Sequence, residues 1–169
     1  MQNHHKEAAF NQPRRYKARY ALTMDGEMAK NITLDPGEEI CFQWPAMQRK
    51  NWLHMVPGLI CMSKSRFFLL EHYALSADKI LELPRSALVN IEYDEHIEHR
   101  NLYYVWIKIS YADGEKVRFL QIRPRSVPPS PQEYIVFVEA LRLFHQGELT
   151  REALLAFIDR KACAEDSGF

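Results

Sequence analysis

The chain has 169 residues, with 22 Lys+Arg against 22 Asp+Glu, 47% hydrophobic and 26% charged. That length and apolar content suffice for one ordinary core, and they exclude disordered, collagen-like and disulfide-scaffold classes. A formal net charge of zero also excludes holding nucleic acid or an anionic membrane by bulk charge, so any such contact needs a local patch.

No stretch approaches the length of a membrane span, and the first residues lack the apolar run of a signal peptide. Cys41, Cys61 and Cys163 are odd in number and too far apart for zinc or redox pairs, which reads as reduced thiols. Together these features predict a cytoplasmic protein, at most peripheral at the cytoplasmic membrane face.

Residues 1–30 form a polar N-terminal extension. Within it Tyr16, Ala18, Tyr20, Leu22 and Met24 alternate with Arg15, Lys17 and Arg19, the pattern of an added strand with a basic face; a helix is the alternative. Such cations either protect a sheet edge from pairing or form an interaction surface. Asp35-Pro36-Gly37 signals a turn. Residues 38–44 then read as a strand pointing Ile40, Phe42 and Trp44 one way, and residues 45–57, with two prolines, as a long loop. Residues 58–63 and 66–72 form a hairpin around Lys64-Ser65, and residues 79–84 and 87–93 give two short strands around Pro84-Arg85-Ser86. Residues 102–111 and 115–122 flank Ala112-Asp113-Gly114, a strong hairpin signal. The sixth strand carries a continuous run, Tyr103, Tyr104, Val105, Trp106 and Ile107, where a half-exposed strand would alternate; that run calls for core packing or a cover over its outer face.

Helices come only at the end. Ser130-Pro131-Gln132-Glu133 supplies an N-cap, a proline suited to the first helical position and a capping-box glutamate. Tyr134, Phe137, Val138, Leu141 and Phe144 share one face, and Gly147 marks the stop. A second amphipathic helix starts at Thr150, with Leu149, Ala153, Leu154, Phe157 and Ile158 available to dock on the same body or on a second copy.

Seven antiparallel strands and a capping helix form the order of the pleckstrin-homology (PH) superfold. Leu34-Asp35-Pro36-Gly37-Glu38-Glu39-Ile40, then residues 57–68 (PGLICMSKSRFF), then Ile80-Leu81-Glu82-Leu83-Pro84 before Ile91-Glu92-Tyr93, resemble the GRAM and bacterial PH-like families. Ser63 stands where those families usually have Thr, and Lys64-Ser65 where Asn-Arg is common. Residues 146–154 are similar to a short C-terminal helical (SHOCT-like) motif, with Ala153-Leu154 in place of its packing Phe. The resemblance implies an α+β, mainly β protein: a seven-stranded, partly open barrel over residues 31–146 capped by a helix, then a helical tail over 147–169.

Three functions follow as expectations. The first is a non-enzymatic binding module that recognises a protein partner or a second copy, with Arg15, Lys17, Arg19, Tyr104 and Trp106 as candidate surface residues. The second is peripheral binding of an anionic lipid or phosphoinositide. In lipid-binding PH domains the loop between the first two strands supplies cations, which here implies Arg49, Lys50 and Trp52, joined by Lys64 and Arg66. The third is a metal-dependent enzyme using Asp94, His96 and His99, although that stretch lacks the helical H-E-x-x-H spacing and a solvated turn is its plainer reading. Arg125-Ser126-Val127-Pro128-Pro129-Ser130-Pro131 matches a polyproline-ligand pattern, but it also serves as a stiff connector into the helix. No nucleophile elbow or phosphate-cradling glycine loop is present in the sequence, so neither a catalytic residue nor a cofactor is assigned.

Overall fold

The computed structural model describes residues 32–96, 105–125 and 131–166. Strands β1 (Phe42–Arg49), β2 (Met55–Met62), β3 (Arg66–Glu71), β4 (Lys79–Pro84), β5 (Leu88–Glu92), β6 (Ile107–Asp113) and β7 (Lys116–Pro124) precede helices α1 (Pro131–Gln146) and α2 (Arg151–Asp166). All strands join one antiparallel sheet in the order β4-β3-β2-β1-β7-β6-β5. Among the described residues no ladder joins β4 to β5, so the sheet is open there.

The inner face of the curled sheet and one face of each helix enclose the main core. Phe42 stacks on Trp44 and meets Phe137 of α1 edge-on at 5.7 Å, while Phe67 of β3 packs against Phe144 at 6.4 Å. Proline at the first position of α1 costs no hydrogen bond. The helix ends where Gly147 takes φ 79°, its N–H donating to Phe144 and that of Glu148 to Leu143. Thr150 Oγ1 then accepts the Ala153 N–H and caps α2, which buries Leu154 and Ile158 in the same core. The guanidinium of Arg151 donates twice to the Ile40 carbonyl, so α2 docks on its own body.

The structure corrects two sequence expectations. Residues 45–57 are not one long loop: β1 runs through Pro45 to Arg49, and β2 starts at Met55 and includes Pro57. Each proline stands beside the end of one ladder, where its missing N–H costs little: the β1–β7 register begins at Ala46, and the β2–β3 register at Gly58. Ile40 does not share a face with Phe42 and Trp44. It precedes the strand and packs with Ile32 and Leu34 on the outer face, over Leu59, Cys61, Phe68 and Leu70. The covered outer face therefore belongs to β2 and β3. Burial against this cover pushes the Cys61 thiol up to about 12.

The expected hairpins form. Gly114, at φ 62°, turns β6 into β7 with Asp113 opposite Lys116. The basic N-terminal segment, with Arg15, Lys17 and Arg19, lies outside the described residues, as do Tyr104, His99 and the Ser130 cap.

Candidate functional site

The register places the sheet's connections at two ends. The β1–β2 tip (residues 50–54), the β3–β4 loop (72–78) and the β6–β7 turn share one end. The β2–β3 turn and the Asp35–Gly37 turn lie at the other, beside the α1–α2 connection, where they line a common cleft.

At the first end the β1–β2 tip is held by its own hydrogen bonds. Asn51 Oδ1 accepts the N–H of Leu53 at 2.9 Å and of His54 at 2.8 Å, while the Lys50 N–H donates to the His54 carbonyl. This Asx-type turn turns Trp52 and Leu53 outward, 77% and 72% exposed. Met55 at the base of the tip and Leu75 on the neighbouring loop are exposed as well. A tip whose backbone is fixed by side-chain hydrogen bonds presents Trp52 and Leu53 at a lower ordering cost on contact than a flexible loop would.

The cations around the tip are engaged. Lys50 pairs with Glu71, a buried carboxylate at the end of β3, which also accepts the Tyr73 hydroxyl at 2.5 Å. Burial would raise the Glu71 carboxyl, but these bonds outweigh it and hold it below the usual range; in return they push Tyr73 up to about 12. Lys79 lies 5.3 Å from the Tyr73 ring, and His72 Nδ1 is 2.9 Å from Asp78 Oδ2, which ties the β3–β4 loop together. The guanidiniums of Arg49 and Arg123 stack on Trp106 at 5.8 and 5.3 Å.

Of the residues singled out by sequence, Arg49, Lys50 and Trp52 come together at this end, and Trp106 joins them through Arg49. Lys64 and Arg66 do not: they belong to the opposite end, beyond the full length of β2. There Arg66 is clamped by Glu38 and Glu82 and lies over the Phe68 ring, so its guanidinium is engaged within the fold. Asp94 and His96 form a local turn in which the His96 N–H donates to Asp94 Oδ1 at 2.8 Å. Among the described residues no three His, Cys, Asp or Glu groups converge as metal ligands. Sequence reasoning missed Glu71, whose signal was a carboxylate closing the apolar run FFLL of β3.

No family model matches the sequence, and no curated protein matches it. Several solved structures resemble the fold, two of them with TM-scores above 0.5 over most of this chain. The hSac2 domain of the human phosphoinositide phosphatase Sac2 superposes with a TM-score of 0.52 at 17% identity, over 67% of this chain and 73% of that one. The DH/PH domains of PDZ-RhoGEF, in complex with GTP-γ-S-activated RhoA, give 0.51 at 9% identity, over 79% of this chain and 40% of theirs. The fold is PH-like. At such identities the PH-like likeness fixes architecture only, while GRAM membership and a SHOCT-like tail remain resemblances of sequence. No described helix of this PH-like chain is long and apolar enough to cross a membrane.

Proposed function

We propose that this chain is a non-enzymatic PH-like binding module that docks a protein partner through the β1–β2 tip. The observation that carries this reading is the pair Trp52–Leu53, exposed on a turn fixed by Asn51. Exposed large apolar groups on a preformed tip match the anchor residues of protein interfaces. The RhoA complex of the PDZ-RhoGEF DH/PH domains lends support only in showing a protein of this fold within a protein assembly.

A second reading, contact with an anionic lipid surface, draws on the same apolar end, where Leu75 accompanies Trp52 and Leu53. It ranks lower because Lys50, the cation of the tip itself, is neutralised by Glu71. The test sets immobilised wild-type chain beside W52S/L53S in extract of the source cells, and both beside vesicles with and without anionic lipid. The protein reading expects one partner retained by wild type and lost from the variant, with no lipid-dependent sedimentation. Anionic-lipid binding that disappears in the variant would replace it with the lipid reading.

A further inference from the structure

We infer that the outer face of β5, β6, β7 and β1 is a two-fold self-association surface, on which each copy covers the same strands of a second copy. This surface adjoins the β1–β2 tip at Arg49, and the inference does not depend on what the tip binds.

Among the described residues, the outer face of the sheet is covered in one half and exposed in the other. Over β2 and β3 it lies beneath Ile32, Leu34 and Ile40. On β7, Val117 and Phe119 are 65% and 62% exposed, and Val89 of β5 is exposed nearby. Alternation makes Leu120 and Ile122 face the core, so Val117, Phe119 and Gln121 point outward. On β6 the outward residues are Lys108, Ser110 and Ala112.

The register then gives the surface in rows. One row runs Glu92, Lys108, Gln121, Arg49 across β5, β6, β7 and β1. The next sets Asn90 and Ser110 beside Phe119, and the third sets Ala112 beside Val117. In the second and third rows the large side chain stands on β7 and the small one opposite on β6, whereas in the first Lys108 faces Gln121.

A two-fold axis parallel to the strands and running between β6 and β7 lays β6 of each copy over β7 of the other. Phe119 then meets Ser110 and Val117 meets Ala112 of the second copy, each large group over a small one. The same operation exchanges β5 with β1, which brings Glu92 of one copy to Arg49 of the other. One symmetry operation therefore satisfies both shape and charge, the condition for an isologous interface. The charges of this face are Glu92, which holds Lys108 at 3.2 Å, Lys108 itself, whose ammonium also lies 5.4 Å from the Phe119 ring, and Arg49 and Arg123, which stack on Trp106. In the dimer Glu92 is shared between its own Lys108 and Arg49 of the second copy.

Sedimentation equilibrium of the full chain tests the inference. Wild type is expected to reach dimer mass with concentration, and F119E to weaken the dimer at least about tenfold. S110R, which fills the hollow without removing an apolar group, should do the same; both positions are at the surface, and circular dichroism checks the fold. The decisive cycle uses E92R and R49E. Within one copy these residues lie three strand spacings apart, about 14 Å, too far to compensate each other. Each single change should weaken the dimer severalfold and the double change should restore it. A wild-type chain that stays monomeric to about millimolar concentration, too weak a contact for a specific interface, overturns the inference, as does a double variant no better than either single one.

Discussion

Arg66 at the start of β3 grips the carboxylate of Glu38, which lies in the segment leading to β1. Glu38 Oε1 also accepts Arg66 Nε at 3.0 Å and the Ser63 hydroxyl at 2.5 Å, and Arg66 Nη1 reaches Glu82 at 2.7 Å. A further bond from Arg66 Nη2 goes to the Thr33 carbonyl at 3.0 Å. Glu38 is presented by the turn Asp35-Pro36-Gly37-Glu38, with proline second and Gly37 at φ 78° third, as a type II turn requires. The pair fastens the segment that carries Ile32, Leu34 and Ile40 over the outer face of β2 and β3. Arg66→Ala should lower the urea-unfolding midpoint, because it leaves a half-buried carboxylate without its partner. Arg66→Lys should recover only part of this loss, since an ammonium cannot fork between two carboxylates.

The same pair sets an acid limit. The hydrogen bonds from Arg66, helped by Ser63, bring the Glu38 carboxyl from the ordinary 4.5 down to about 2. A depressed carboxyl stabilises the fold fully above its unfolded value, and that contribution is lost as pH falls through the folded value. Stability measured by denaturant at a series of pH values should therefore decline from about pH 4.5 towards 2, with Glu71 adding in the same direction. Glu38→Gln should be less stable at neutral pH and should show a shallower decline. An equal slope in the variant would mean that the acid sensitivity arises elsewhere.

Gly58 of β2 has no room for a side chain, because a Cβ there would drive into the Leu70 carbonyl of β3. Gly58→Ala must push β3 aside at the first rung of the ladder, opposite Glu71. We expect a loss of about 2 kcal/mol or more, read as a lower urea midpoint with an unchanged slope. Substitution at Trp52, which is largely exposed, should move the thermal midpoint by no more than about 2 °C.

Glu71 acts as an internal counter-ion for the open end. Glu71→Gln removes the charge that neutralises Lys50 while keeping an acceptor for Tyr73. In low-salt sedimentation with anionic vesicles, the variant should bind severalfold more than wild type, since each freed cation near such a surface is worth about 1 kcal/mol. Equal binding of the two proteins would show that Glu71 does not limit contact with anions.

Most of the fold was legible because its signals are local. The Asp113-Gly114 hairpin, the Pro131 helix start, the Gly147 stop and the Thr150 cap each depend on residues within one turn of chain. The limits of β1 were not legible, because whether Pro45 and Pro57 interrupt a strand depends on which neighbour each one lacks, and that is a property of the whole sheet. The candidate site was half legible. Arg49, Lys50 and Trp52 are close in sequence and share one tip, whereas grouping them with Arg66 failed because β2 separates the two ends. Partners distant in sequence, Glu38 for Arg66 and Glu71 for Lys50, carry no local mark that pairs them.

The claim that the β1–β2 tip is the docking element is tested most directly by a photo-crosslinking amino acid placed at position 52 in living cells. The same group at Glu95, on an exposed turn beside α1, serves as the control. The account predicts one protein adduct from position 52, absent from position 95 and weakened by Asn51→Ala, which loosens the turn. Lipid adducts alone at position 52, or the same adducts from both positions, would contradict it.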